Sequence, residues 1–569
     1  MSRKPFSTPS PRPAPLTNVH PGGALGERIR RNYDRLERED YRPDVVLKDP
    51  DYPWPGDMEG RLTLALTLLE QVTGRPARYL PQLLDRLPGA FNEAGYLGRV
   101  ATDGRHDEQQ LAGHSWLLRG LCEHYEAHRD ARVLSWIDAI VRGLALPARD
   151  AYAAYPHETY ADLLEGEAIG QIGRVDLGPW RLSTDIGCAF ILLDGLSHVY
   201  RITEDPAVGR MLDIMAETFL ELDLVKMSLQ THATLSASRG LLRLAEQRRS
   251  TALLDEVRRI WRIYWTTART ANDANHNWFG RPHWTEPCAM VDAYMTAMSL
   301  WRLTGEAAFL RQAHRGAYNG LGFAQRPNGG YGCDCCAGAH DVYLAPQEGT
   351  YEAWWCCTMR GGEGLARMAQ DGWQTQGDAL YLAAYADAVA RITSEGGSAT
   401  IAQKTDYPFG GDVTITIEEA AGEPFRSIAF VVPEGGSATR VVVDGAPVAY
   451  ETKDGFVHVH LAPRSGLEIQ ATFSLSVGAE PYVGGLDGGP HVCLRHGPLL
   501  LGIDAPTTSD EAAERVTLTP NPKLEPLGNA RYRIAGASCE VRPVCDHYTL
   551  DPEAARHDRR QVIFPLKEK

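Results

Sequence analysis

Residues 241–257 read LLRLAEQRRSTALLDEV. Two apolar stretches with helical spacing flank a short polar turn, so the segment predicts a helical hairpin. The same grammar returns in LEQVTGRPARYLPQL (69–83), CEHYEAHRDARVLSWI (122–137), SHVYRITEDPAVGRML (197–212) and LWRLTGEAAFLRQA (300–313). Around these turns the apolar residues form stripes. Leu62, Ala65, Leu66, Leu69 and Val72 make one; Val133, Ile137, Ile140, Val141 and Leu144 make another. A hairpin cannot bury its apolar face alone, so consecutive hairpins must stack, as an open solenoid or a closed ring. The irregular spacing disfavours a regular solenoid. The prediction is a closed toroid of about six hairpins, an (α/α)6 barrel with a sugar-sized cleft at one end. An irregular helical bundle is the alternative.

Past about residue 375 the period changes to two. GDVTITIEE (411–419), SIAFVVP (427–433), TRVVVDGAPV (439–448), FVHVHL (456–461) and LEIQATFSL (467–475) are short strands with Gly and Pro between them. They predict an antiparallel sandwich. A second group follows a Gly-rich loop at 483–490: HVCLRHGPLLLGID (491–504), RVTLTP (515–520), RYRIAG (531–536) and RQVIFPL (560–566). The expected organisation is a multidomain α+β chain: an N-terminal extension over 1–55, the barrel over 56–375, a β-sandwich over 376–478 and a second β-sandwich or β-module over 479–569.

The chain has 569 residues, 43% hydrophobic and 23% charged, an ordinary globular balance. A formal net charge of -15 would repel nucleic acid and anionic membranes. The N-terminal MSRKPFSTPSPRPAPLTNVHPGG is basic and proline-rich and lacks the apolar core of a secretory signal. No stretch has about 18 consecutive apolar residues. The expected location is the cytoplasm, where thiols stay reduced. Of the 11 cysteines, six lie between residues 288 and 357. Such clustering, with an odd total, favours metal binding or catalysis over a disulfide framework.

Within YEAWWCCTMR (351–360), Cys356 and Cys357 are adjacent. Neighbouring cysteines pair with each other only through a strained ring. HWTEPCAMVDAY (283–294) supplies Glu286 and Cys288. One carboxylate and three thiolates suffice as a tetrahedral zinc ligand set, and a divalent cation relieves the repulsion between adjacent thiolates. A structural zinc site and buried thiols are the plainer readings.

The chain resembles the β-L-arabinofuranosidase family, glycoside hydrolase family 127. The resemblance rests on GYLGRV (95–100), AGHSWLL (112–118), THATLSASRGLLRLA (231–245), TEPCA (285–289), CCTMRGGEGLARMAQDG (356–372), DYPFGGDVTITIE (406–418) and RHGPLLLGI (495–503), in the family order. It implies an (α/α)6 catalytic barrel with β-sandwich modules and Zn2+ bound by Glu286, Cys288, Cys356 and Cys357. It implies that Cys356 is the nucleophile of a retaining hydrolysis through a glycosyl-cysteine. It also implies that His114 and His232 contact the sugar.

The sequence departs from that pattern at the general acid/base. Family members carry a glutamate upstream of the Glu-x-Cys; here, within TTARTANDANHNWFGRPHWTEPC (266–288), the slot anchored on Phe279 holds Asn277. Asp273 and His276 are the nearby proton donors, and Asn277 and Trp278 become expected sugar contacts. The continuation after the cysteine pair, TMR, and the added Cys333, Cys335, Cys336 and His340 also depart from the family. A second metal site is one reading of those four residues, and a Gly-rich loop lining the cleft is the other. Trp278, Trp284, Trp354 and Trp355 are stacking platforms for sugar rings or core packing. The expectation is thus a zinc- and cysteine-dependent glycoside hydrolase acting on a furanoside or uncommon sugar. A lyase or isomerase on the same fold and a catalytically inactive sugar-binding protein are the alternatives. The expected partner is a carbohydrate substrate, without nucleic acid or membrane, and a homodimer is left open.

Overall fold

The computed structural model describes residues 6, 10–47, 50–159, 174–484, 486, 489–505, 515–535, 539–546 and 559–567. Parts of the N-terminal stretch and of the 483–490 loop, read above from sequence, lie outside these residues, as does Gly536.

The five predicted hairpins all form. Their first helices are α2 (Asp57–Thr73), α4 (Glu108–His128), α6 (Leu192–Thr203), α8 (Thr231–Arg248) and α10 (Pro287–Thr304). Their second helices are α3 (Leu80–Ala90), α5 (Arg132–Ile140), α7 (Pro206–Glu221), α9 (Thr251–Thr267) and α11 (Ala307–Arg315). Each first helix stops at a residue in the left-handed conformation: Gly74 (φ 65°), Arg129 (φ 56°), Glu204 (φ 51°), Arg249 (φ 54°) and Gly305 (φ 71°). That conformation lets the backbone N–H turn back onto the last helical carbonyls and ends the helix within one residue. In two of the five turns a polar side chain then caps the next helix. The Asp205 carboxylate accepts from Ala207 N at 2.7 Å, and the Ser250 hydroxyl accepts from Leu253 N at 3.4 Å.

A sixth inner helix, α12 (Cys357–Asp371), packs on both α10 and α2. The contacts α2–α4–α6–α8–α10–α12–α2 close a ring, so the toroid is shut rather than open. The outer helix that accompanies α12 comes from the start of the chain. It is α1 (Gly23–Leu36), which also touches α2. This is the (α/α)6 arrangement.

The first two β-sheets face each other. One runs, in spatial order, Arg12–Pro13, Trp373–Gln376, Ala379–Leu382, Ser427–Val431, Phe456–His460, Glu451–Lys453. The other runs Ala446–Pro447, Ser437–Val443, Leu467–Ser474, Asp412–Gly422, Gly397–Thr405, Ala388–Ser394, Val19–Pro21. Alternate residues such as Ile401, Ile415, Ile417 and Ile469 are buried, as period two requires. The sandwich is antiparallel except where Ser427–Val431 runs parallel to Ala379–Leu382. Both sheets take an edge strand from residues 12–21, so the start of the chain ties sandwich and barrel together.

The last sheet contains Val477–Tyr482, His491–His496, Leu499–Ala505 and Glu540–Pro543. It reaches the helical domain through Arg559–Gln561, which pairs with Tyr343–Leu344. Its Cys493, Leu500, Val562 and Ile563 share an apolar cluster with Ala271, Phe323, Ala337 and Val342. Among the described residues, no helix is long and apolar enough to cross a membrane.

Candidate active site

Glu286 is the N-cap of α10 and Cys356 the N-cap of α12, with Cys288 and Cys357 inside the first turns. The two helices are neighbours in the ring, so closing the barrel brings together residues about 70 apart in sequence. Cys288 Sγ lies 3.1 Å from Cys356 Sγ and 3.7 Å from Cys357 Sγ. Cys356 Sγ lies 3.9 Å from Cys357 Sγ and 3.9 Å from Glu286 Oε1. The four side chains together offer metal-ligand atoms within 4.8 Å of one another. A tetrahedron with Zn–S bonds of about 2.3 Å has edges of about 3.8 Å. Three of these four separations match that edge, and the Cys288–Cys356 contact is shorter. Glu286 Oε2 is buried without a hydrogen-bond partner among the described residues, as a ligand oxygen awaiting a cation would be. The donor set fits zinc.

The three thiols are not equivalent. Hydrogen bonds from Cys288 and Cys357 hold the Cys356 thiol well below its ordinary range, and the Arg61 guanidinium adds to this. Cys288 and Cys357 are pushed the other way. Cys356 is also the half-exposed member, whereas Cys288 and Cys357 are buried. The trio therefore presents one accessible thiolate. Trp355 beside it is 40% exposed and offers an open aromatic face, whereas Trp278 is buried edge-on against Trp284.

Beneath the cysteines lies a charged floor. Arg61 donates to Cys288 Sγ at 3.2 Å and pairs with Asp57 at 2.8 Å. Its guanidinium covers the Trp116 ring at 4.4 Å, and Trp116 stacks on His232. His232 Nδ1 lies 2.8 Å from Asp292 Oδ2, and Nε2 lies 3.4 Å from Arg61. Burial lowers the His232 pKa against the pull of Asp292. The neutral ring then donates to Asp292 and accepts from Arg61. Arg239 and Arg360 also pair with Asp292. His232 thus orients Arg61, which touches Cys288 of the cluster.

Other expected site residues are placed differently. His114 is fully buried, with Nδ1 donating to Gln110 O at 2.8 Å and Nε2 accepting from Leu97 N at 3.0 Å. Burial lowers its pKa to about 4. Both ring nitrogens serve the main chain, so no sugar contact is left to it. Asp273 does not serve as an acid. Its side chain is buried, ion-paired with Arg269 and with Arg495 of the last sheet, and accepts from Asn319 at 2.8 Å. Burial pushes its pKa up, but Arg495 and Arg269 overcome this and hold it at about 2. His276 is half-buried; burial, then His340, lowers its pKa to about 4, which leaves it without a proton to give at neutral pH.

Along the loop from 268 to 286, several buried polar atoms have no partner among the described residues: Asn275 Oδ1, His276 Nδ1 and Asn277 Oδ1, with Gln230 Oε1 beside them. The loop is fixed by main-chain bonds, Asn277 O accepting from Thr231 N at 2.8 Å and Asn277 N donating to Trp284 O at 3.0 Å. Unpartnered acceptors on a rigid loop are what ligand hydroxyls would satisfy. Cys333 is buried close to Cys357 and Glu286, which feel its thiol, but stands outside the four-ligand cluster. Cys335 accepts from Ala345 N at 3.1 Å and shapes its own turn.

Sequence reading missed Asp185, on the loop between the strand Trp180–Ser183 and α6. Nothing in the surrounding sequence distinguishes it from a surface turn residue; only ring closure brings it to the cysteines. Burial, followed by the charges of Cys356 and Asp57, raises its pKa to about 7.

Residues 379–475 match the middle domain of GH127 β-L-arabinofuranosidases. No curated protein matches the chain in sequence. Three solved structures share its architecture. A GH127 β-arabinofuranosidase aligns with a TM-score of 0.71 at 15% identity, covering 98% of each chain. A second glycoside hydrolase gives 0.70 at 14%, again over 98% of each. The GH127 β-L-arabinofuranosidase from Geobacillus stearothermophilus T6 gives 0.65 at 14%, over 97% of this chain and 100% of that one. The chain is GH127-like in its middle domain and in its whole fold.

Proposed function

We propose that this GH127-like chain is a retaining glycoside hydrolase with Cys356 as its nucleophile, acting on β-L-arabinofuranosides or a related furanoside. The observation that carries this is the cluster at the N-termini of α10 and α12, where one half-exposed, acidified thiol is gathered with two buried thiols and an unpartnered carboxylate oxygen. The matched middle domain and the overall fold point to the same chemistry. Glu286, Cys288, Cys356 and Cys357 would hold a zinc ion, which keeps thiolates ionised at neutral pH and fixes their positions.

The chain's own residues account for the rest. Cys356 Sγ attacks the anomeric carbon as the glycosidic bond breaks, and water later releases the sugar from sulfur, so two inversions retain configuration. Arg61, held by Asp57 and His232, keeps positive charge beside the cysteines. The unpartnered acceptors of Gln230, Asn275 and Asn277 receive sugar hydroxyls, and Trp355 offers a stacking face.

The test is hydrolysis of 4-nitrophenyl β-L-arabinofuranoside with mass analysis of quenched enzyme. Wild type should release 4-nitrophenol and carry one pentosyl residue on the peptide containing Cys356. Cys356→Ser should lose at least about 10³-fold in kcat, because a hydroxyl is a far weaker nucleophile than a thiolate. Binding of the sugar without turnover or adduct would make the chain a binding protein and overturn the reading.

A further inference from the structure

The loop that carries Asp185 is held on both sides. Before it, Ser183 N donates to the Glu108 carboxylate at 2.7 Å. After it, Ala189 N donates to the same carboxylate at 3.5 Å, and Tyr155 OH donates to it at 2.7 Å. Gly187, left-handed at φ 84°, donates its N–H to Tyr155 OH at 3.1 Å. Ile186 O accepts from Gln230 N at 2.9 Å, which fastens the loop to the start of α8. Two residues further, in the first turn of α8, is His232, whose partner Arg61 touches Cys288 Sγ. Asp185 is therefore fixed at the cysteine end of the barrel by a short chain of hydrogen bonds.

Its carboxyl group is not part of that clamp. Among the described residues no hydrogen bond or ion pair reaches it, although it is half-buried and charge on Cys356 and Glu286 is felt by it or feels it. The other nearby carboxylates have roles of their own: Glu286 in the candidate ligand cluster, Asp57 on Arg61, Asp273 on Arg269 and Arg495, and Asp292 on His232 and its arginines. A rigidly mounted carboxyl at the cysteine end of the barrel, unpartnered among the described residues, is what proton transfer to a leaving group requires.

We propose that Asp185 is the general acid and base of this site, supplying from the α4–α6 side the proton that Asn277, Asp273 and His276 do not. The assignment rests on the hydrolase reading above. In the first half-reaction the Asp185 carboxyl proton passes to the glycosidic oxygen as the C1–O bond breaks and the bond from Cys356 Sγ to C1 forms, and the alcohol leaves. In the second, the Asp185 carboxylate takes a proton from water as the water oxygen bonds to C1 and the C1–S bond breaks. Thiolate and carboxylic acid are restored.

The experiment uses the zinc-loaded full chain with methyl and 4-nitrophenyl β-L-arabinofuranosides. Asp185→Asn should lose about 10²–10⁴-fold in kcat/KM on the methyl glycoside, whose leaving group needs protonation, and less than about 10-fold on the 4-nitrophenyl glycoside. Pentosyl-Cys356 should accumulate with the latter substrate, and sodium azide should release it as the glycosyl azide, because the small anion attacks C1 without a base. Asp185→Glu, which keeps an acid on a longer arm, should slow both substrates together and show neither accumulation nor azide rescue. Equal losses on both substrates in Asp185→Asn, with wild type still labelled at Cys356, would overturn the Asp185 assignment alone. Absence of both turnover and label in wild type would overturn the hydrolase reading, and this proposal with it.

Discussion

At the scale of single residues, the adjacent cysteines divide their work. Cys356, at the N-cap, is half-exposed; Cys357, one residue into the helix, is buried. A one-residue step at a helix start turns successive side chains by about 100°, so one sulfur faces outward and the other inward. This division separates two effects in mutants. Cys288→Ser and Cys357→Ser should lower zinc content from about one ion per chain toward zero and weaken retention against a chelator by at least about 10-fold, since hydroxyls are poor zinc ligands. Elemental analysis after chelator challenge checks this. Unchanged zinc in both variants would remove these residues from the ligand set. His114 teaches the opposite lesson. Its motif is legible in sequence, but its ring is consumed by Gln110 O and Leu97 N, because a fully buried imidazole must satisfy both nitrogens locally.

At the scale of elements, the loop 183–189 is the most consequential non-regular segment, and Glu108 is its anchor. It is buried at the start of α4 and gathers donors from Tyr155, Ser183 and Ala189. Replacing it by glutamine places an amide N–H₂ where the site needs an acceptor. Glu108→Gln should therefore cost about 1–3 kcal/mol of stability. It should also lower kcat on the methyl glycoside more than on the 4-nitrophenyl glycoside, through displacement of Asp185. Thermal melts and the two-substrate comparison check both parts. A stability loss with an unchanged substrate ratio would show that the loop keeps its position without Glu108. The hairpins, by contrast, were readable from local sequence. Their turns carry a left-handed stop at Gly74, Arg129, Glu204, Arg249 or Gly305, joined at Asp205 and Ser250 by a polar cap on the next helix, and these signals lie within a few residues.

At the scale of the whole molecule, the last β-sheet is bolted to the barrel by Asp273. Its carboxylate joins Arg269 of the helical domain, Arg495 of the sheet and Asn319, which also donates to Pro498 O at 2.9 Å. Asp273 is held at about 2 in the folded chain against about 3.9 when unfolded. A depressed pKa contributes stability above the unfolded value, and that contribution is lost as pH falls through the folded value. The gap corresponds to roughly 2–3 kcal/mol, present above about pH 4 and lost toward pH 2. Asp273→Asn should lower neutral-pH stability by about that amount, with the difference from wild type closing as pH falls from about 4 to about 2. Denaturant unfolding along a pH series measures it. A difference independent of pH would mean that packing, not charge, holds the sheet.

The sequence by itself determined the hairpins, the change from period 3.6 to period two, and the metal-ligand candidates, because helix stops, strand alternation and cysteine chemistry are written in neighbouring residues. It did not determine what closes the ring. The sixth outer helix, Gly23–Leu36, and two edge strands come from the start of the chain, where no local pattern announces that they pack more than 300 residues away. Nor did it determine which acids are free. Asp185 and Asp273 are the same side chain with the same intrinsic acidity, and both are taken from water by the fold. Tertiary structure put two arginines beside Asp273 and none of the described cations on Asp185, leaving one a permanent carboxylate and the other a group that can hold a proton. Coulomb interactions depend on distance in space, and the fold alone sets that distance.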